Sequence, residues 1–203
     1  MLRYAITDRA SLPGTGAEKN ASLLQLAALW AAEDIDFVQL REKNMDAGAL
    51  TALARQLTAV LGAKTKLLIN GRADVALAAR AAGVHLTARP GELTPQDVRR
   101  LWALLPAPKP FISVACHSVE EAAQASAAGA DLILFAPVFE KRVEGRVVSE
   151  GCGLQMLAQA CEAALGTPVL AMGGITSANA QQCVAAGAAG VAGIRLFMEG
   201  GER

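Results

Sequence analysis

Short β-type runs alternate with Ala/Leu-rich segments of helical period along almost the whole chain, and no other feature constrains the fold as strongly. Eight runs read as strands: Arg3–Ile6, Phe37–Leu40, Leu67–Ile69, Val84–Leu86, Phe111–Val114, Leu132–Leu134, Val169–Ala171 and Val191–Ile194. Between them, Ala21–Ala32, Ala47–Leu61, Ala73–Ala82, Thr94–Leu104, Val119–Ala128, Leu154–Leu165 and Ser177–Ala186 repeat apolar residues at i, i+3 and i+4. Eight strand-helix units within 203 residues match the minimal length of a closed (β/α)8 barrel, whereas an open doubly wound sheet usually has about five or six strands. The expected fold is α/β: a single (β/α)8 TIM barrel over residues 1–203. Only Met198–Arg203 remains for the eighth helix, so that helix is expected to be truncated, and a partner subunit in a homodimer could cover the flank.

The chain is 53% hydrophobic but only 4% aromatic, with 43 alanines, so the core must consist of small aliphatic side chains. Helix starts carry capping signals: Thr94-Pro95 places a proline at the first helical position, and Ser118 precedes Glu121 as in a capping box. Gly83, Gly129 and Gly187 each follow an Ala-rich helix and precede a strand, which predicts left-handed caps at these corners. Nineteen basic residues balance nineteen acidic ones, leaving none of the counterion-release energy that nucleic-acid binding draws on. The mean hydropathy of +0.32 is high, yet charged residues interrupt every apolar stretch before the ~18 residues a membrane span needs. Arg3, Asp8 and Arg9 stand where a secretory signal requires an unbroken apolar region, so a cytoplasmic location is expected. Cys116, Cys152, Cys161 and Cys183 follow no metal-ligand spacing and read as free thiols buried like small hydrophobes.

A barrel of this kind works at the C-terminal ends of its strands. There the sequence places Thr7 and Asp8, then Gln39, Arg41, Glu42 and Lys43, then Asn70, Gly71 and Arg72, then His117, then Gly173, Gly174 and Thr176, and last Arg195. Gly173-Gly174, between a β-run and a helix, suits close approach of backbone N–H groups to a phosphate. Gln39, Arg41 and Lys43 share one side by the strand period and suit an anionic substrate, while Glu42 points away in a structural role. His117 is the candidate general acid/base, because an imidazole with a pKa of ~6.5 exchanges protons at neutral pH. His85, inside Val84-His85-Leu86, reads as a satisfied core or rim histidine. Glu140–Gly151, without clear period and rich in charge, reads as a mobile lid.

The phrases Ala5-Ile6-Thr7-Asp8, Gln39-Leu40-Arg41-Glu42-Lys43, Leu68-Ile69-Asn70, Gly83-Val84-His85-Leu86, His117-Ser118-Val119-Glu120-Glu121-Ala122, Pro137-Val138-Phe139 and Gly173-Gly174-Ile175-Thr176 together resemble the thiamine phosphate synthase/TenI superfamily over essentially the whole chain. The resemblance implies a barrel that handles the phosphorylated thiazole of vitamin B1, by one of two activities. The synthases join an aminopyrimidine pyrophosphate to thiazole phosphate with Mg²⁺ held by aspartates after the third and fourth strands. Here those positions carry Gly71 and the stretch Thr87-Ala88-Arg89-Pro90, with no carboxylate before Glu92, and Glu140-Lys141-Arg142-Val143 replaces the synthases' Thr-x-Thr-Lys. Asn70-Gly71-Arg72 and Phe139-Glu140 look more like TenI, the thiazole tautomerase, which needs no metal and whose catalytic histidine maps onto His117. Gln39, Arg41 and Lys43 favour the synthase, which uses that pattern to hold pyrophosphate. Arg195 stands where both activities keep a small phosphate-binding residue; its guanidinium could bind the anion or fill the site. The expectation is a cofactor-independent thiazole phosphate tautomerase, with the Mg²⁺-dependent synthase and a non-catalytic, regulatory ligand-binding barrel as alternatives. No protein metal ligands are expected, and the expected partner is a small phosphorylated thiazole rather than nucleic acid or membrane.

Overall fold

A computed structural model describes residues 1–89, 91–143 and 146–198, without the side chains of 141–148. Eight parallel strands close into a barrel: β1 (Leu2–Ile6), β2 (Phe37–Leu40), β3 (Lys66–Asn70), β4 (Gly83–Thr87), β5 (Phe111–Cys116), β6 (Leu132–Phe135), β9 (Val169–Met172) and β10 (Gly190–Gly193). β7 (Lys141–Val143) and β8 (Arg146–Ser149) form a separate antiparallel pair. The helices are α1 (Gly16–Ala32), α2 (Ala47–Leu61), α3 (Ala73–Ala79), α4 (Pro95–Ala103), α5 (Val119–Ala127), α6 (Gly153–Ala163), α7 (Ala180–Ala185) and α8 (Arg195–Met198). The expected TIM barrel is therefore present, and the described part of its last helix is a single four-residue turn, with the rest of the tail outside the described residues. Trp30 on α1 holds that turn by donating from Nε1 to the Phe197 carbonyl (3.2 Å).

The period-2 alternation of each strand divides the core in two. Inward residues Tyr4, Ile6, Phe37, Leu68, Leu132, Leu134, Leu170 and Ala192 fill the barrel, while Ala5, Val38, Leu67, Ile69, Val84, Ile112, Val114 and Val191 face the helices. Small residues let the helices lie close: α2 buries Leu50, Leu53, Ala54, Leu57 and Leu61 along one stripe. Cys116 and Cys183 are buried as expected, and burial pushes the Cys116 thiol up to about 12; Cys152 and Cys161 are only half-buried.

Thr94 and Asp97 form a reciprocal capping box at α4, with the Thr94 Oγ1 accepting from the Asp97 N–H (3.2 Å) and Asp97 Oδ2 accepting from the Thr94 N–H (3.0 Å). Thr94→Ala is expected to cost about 1 kcal/mol and to lower the thermal midpoint by roughly 2–4 °C in a circular dichroism melt. Ser118 caps α5 only one way: it accepts from the Glu121 N–H (3.1 Å), but the Glu121 carboxylate turns to the His117 N–H (2.6 Å).

Three expectations are corrected. Gly129 (φ 87°) and Gly187 (φ 101°) are left-handed corners, but at the end of α3 it is Arg80 that adopts φ 54°. Gly83 belongs to β4 instead, where a Cβ would stand 1.8 Å from the Phe111 carbonyl oxygen, so the residue serves strand approach rather than capping. The stretch Glu140–Gly151 is not an irregular loop, because most of it pairs as the β7–β8 hairpin. Its neighbour Gly151 passes so close to Val138 and Phe139 that a Cβ would lie 2.5 Å from the Val138 carbonyl oxygen. The segment Ser177–Ala186 is helical only over Ala180–Ala185, because Thr176 and Asn179 make reciprocal bonds (2.8 and 3.3 Å) that hold the preceding turn.

Candidate active site

A cleft of about 1520 Å³ opens at the C-terminal ends of the barrel strands, and Gln39, Arg41, Lys43, Asn70, His117, Gly173, Gly174 and Arg195 all line it. These eight residues thus come together, although they lie on five different strand ends.

The first of those ends are fixed by a buried hydroxyl. Thr7, just after β1, accepts from the Arg41 N–H (3.0 Å) and donates to Glu42 Oε1 (2.6 Å), which also accepts from the Arg9 N–H (3.0 Å). Glu42 is therefore held by structural bonds, but it also lines the cleft and does not point away from it as its place in the strand period predicted. Arg41 is half-buried, and among the described residues neither its guanidinium nor the Lys43 ammonium has a hydrogen-bond or ion-pair partner. Gln39 is 1% exposed; its Nε2 donates to Asn70 Oδ1 (2.9 Å), and its Oε1 is buried with no partner. A buried amide oxygen left unpaired costs about 1–3 kcal/mol, so the cleft floor is short of one donor.

His117 follows β5 and is exposed at the cleft wall. Its Nδ1 lies 2.7 Å from the Ala136 carbonyl oxygen, which can only accept, so Nδ1 carries a hydrogen and Nε2 of the neutral ring is the free base. The partner carbonyl is supplied by the segment just after β6, so the tautomer is set by strand packing.

Two strands further round the barrel, the turn after β9 rests on the segment after β6: the Val138 N–H donates to the Met172 carbonyl (2.9 Å) and the Phe139 N–H to the Gly173 carbonyl (3.0 Å). Gly173 (φ 91°) and Gly174 (φ 64°) use the glycine-favouring region, and a Cβ on either would sit 2.7 Å from Pro137 or from Glu140 and Phe139. Asn179 closes the turn by donating to the Gly174 carbonyl (3.0 Å). Arg195, the first residue of α8, is exposed at the cleft edge and makes no ion pair among the described residues; it lines the site and does not plug it.

A family model described as thiamine monophosphate synthase (TMP-TENI) matches residues 3–197. The chain belongs to the thiamine monophosphate synthase/TenI family. This family member is 42% identical over 192 residues to a putative thiamine-phosphate synthase of Geobacter sulfurreducens, covering 93% of this chain and 83% of the relative. It is 34% identical over 197 residues to the putative thiamine-phosphate synthase 2 of Aquifex aeolicus, covering 97% of both. Among solved structures, thiamine phosphate pyrophosphorylase from Pyrococcus furiosus superposes with a TM-score of 0.75 at 27% identity, covering 96% of this chain and 85% of that one.

The magnesium ion of the synthases does not fit the residues of this family member. Gly71 (φ 64°) offers no side chain, and Asp74 is held by Arg72 in a two-pronged pair (2.7 and 2.9 Å). The nearest carboxylate after β4, Glu92, accepts from Thr87 Oγ1 (2.6 Å). Among the described residues no group of three or more His, Cys, Asp or Glu side chains is placed to hold a metal. Magnesium is usually held by one or two carboxylates together with substrate phosphates and water, and here the first of those positions is a glycine while Asp74 and Glu92 are already bonded to Arg72 and Thr87.

Sequence reasoning missed a polar chain below the site. Tyr4 OH lies 3.1 Å from Ser113 Oγ, which lies 2.9 Å from His85 Nδ1. The available signal was Ser113, a polar residue at an inward position of an otherwise apolar run.

Proposed function

We propose that this protein is a TenI-type thiazole phosphate tautomerase that works by metal-independent proton transfer. The observation that carries the reading is the His117–Ala136 bond, which leaves Nε2 as a base on a cleft where, among the described residues, no group of three or more His, Cys, Asp or Glu side chains is placed to hold a metal. In the proposed reaction Nε2 takes a proton from the non-aromatic tautomer of a thiazole phosphate carboxylate. The imidazolium then returns a proton at the position that completes the aromatic ring, so protons and electrons balance within one molecule. Arg41 and Lys43, both unpaired among the described residues, would face the carboxylate, and Gln39 with Asn70 the ring. The Gly173-Gly174 turn and the β10–α8 end, with Arg195, would take the phosphate.

A second reading, thiamine-phosphate synthase, is favoured by the names of the relatives and by the presence of Gln39, Arg41 and Lys43. The two separate in one assay. The purified protein is given thiazole phosphate carboxylate with either EDTA or Mg²⁺, and then the aminopyrimidine pyrophosphate. Tautomer conversion that is indifferent to EDTA supports the tautomerase. Coupling that requires Mg²⁺ and both substrates replaces it with the synthase, and binding without turnover of either substrate leaves a ligand-binding barrel.

A further inference from the structure

The barrel interior contains a hydrogen-bonded chain, Tyr4–Ser113–His85, that runs from the centre of the core to the cleft floor. Tyr4 and Ser113 are 0% exposed and His85 is 5% exposed. The directions of its hydrogens follow from what each group can reach. Among the described residues the Tyr4 hydroxyl has one hydrogen-bond partner, Ser113 Oγ, so its hydrogen must go there or stay unpaired in the core. Ser113 then has one hydrogen of its own, and its remaining partner is His85 Nδ1. With Nδ1 accepting, the neutral ring carries its hydrogen on Nε2. The ring is neutral at physiological pH because burial, and secondarily the Arg41 charge, lower its pKa to about 3. Among the described residues Nε2 has no protein partner, and His85 lines the cleft. Asn70, paired in register with His85 on the adjacent strand, is bonded on its other side to Gln39, whose Oε1 is the buried orphan.

We propose that Tyr4 and Ser113 are positioning residues that fix His85 as an Nε2–H donor, and that this donor and the Gln39 amide form an uncharged floor that reads the ring edge of a heteroaromatic ligand. The two histidines of the cleft thereby take opposite tautomers. His117 is fixed by a carbonyl as an Nε2 base, and His85 is fixed by a hydroxyl as an Nε2–H donor. A neutral floor below cationic walls lets the ring be oriented without a charge competing for the anionic groups at its ends.

The ligand part of this inference rests on the tautomerase reading; the tautomer part does not, and the test separates them. Only two histidines are present, so long-range ¹H–¹⁵N correlation spectra of the full chain resolve both rings, with His117→Gln providing the assignment. The expected result is a neutral, Nε2-protonated His85 in the free protein. Ser113→Ala should shift it to the Nδ1–H form, and Tyr4→Phe, which keeps the ring stacked on Phe37 and so guards against misfolding, should shift it in part. In the second arm, thiazole phosphate carboxylate should move the His85 Nε2–H resonance and bind about 10-fold more weakly to Ser113→Ala, while inorganic phosphate binds both forms alike. An Nδ1–H ring in the wild type, or a tautomer unmoved by Ser113→Ala, would overturn the positioning role. Ligand binding that leaves the His85 resonance in place overturns the floor. If the wild type does not bind the thiazole ligand at all, the tautomerase reading fails, while the expected tautomer pattern would still support the positioning role.

Discussion

His117→Ala is expected to lower kcat for tautomer conversion by about 10²–10⁴-fold, the usual contribution of a positioned general acid/base. The effect should fall on kcat rather than on stability, because the side chain is exposed and gives the fold one hydrogen bond, from Nδ1 to the Ala136 carbonyl. The backbone bond from His117 N–H to Glu121 survives the substitution, so the start of α5 keeps its geometry. His117→Gln makes the argument sharper: it can still donate to Ala136 but offers no base of suitable pKa, so it should be as slow as the alanine variant. A thermal midpoint near wild type together with the loss of turnover supports the assignment. Turnover within about 3-fold of wild type in either variant would remove His117 from the chemistry.

Gly174→Ala is expected to damage stability and binding together. At φ 64° an alanine is strained, and its Cβ would stand 2.7 Å from both the Glu140 carbonyl oxygen and the Phe139 Cβ. Relief requires the turn to move away from the Phe139 segment that it is hydrogen-bonded against. Strain and overpacking together should cost roughly 2–4 kcal/mol, or about 5–15 °C in the thermal midpoint for a chain of this size. Because the proposed phosphate site is the backbone of this turn, affinity for thiazole phosphate should fall about 10-fold or more in calorimetric titration at a temperature where the variant is folded. Full affinity in a destabilised variant would place the phosphate elsewhere in the cleft.

Much of the candidate site was legible because a barrel converts sequence position into spatial position. Once the strands are read, the residues after them must meet at one mouth, and His117, Gly173, Gly174 and Arg195 do so. The β7–β8 hairpin was not legible, since its strands have three and four residues, carry charged side chains and, among the described residues, pair only with one another, with a shifted register at Lys141/Arg142. Gly83 misled for a related reason: the sequence shows a glycine between a helix and a strand, but only strand pairing shows the Phe111 carbonyl it must clear.

The alternation of apolar periods determined the closed barrel and its two-layer core, because periodicity is a local property that decides which face of each element is buried. The tertiary structure alone decided the chemistry of the polar groups. Which nitrogen of His117 is free depends on a carbonyl 19 positions away, and which nitrogen of His85 is protonated depends on a serine 28 positions away and on a tyrosine 109 positions from that serine. Such bonds join neighbouring strands or span the barrel, so no window of sequence contains both partners. A hydrogen bond acts over about 3 Å, and only folding brings those groups within that distance.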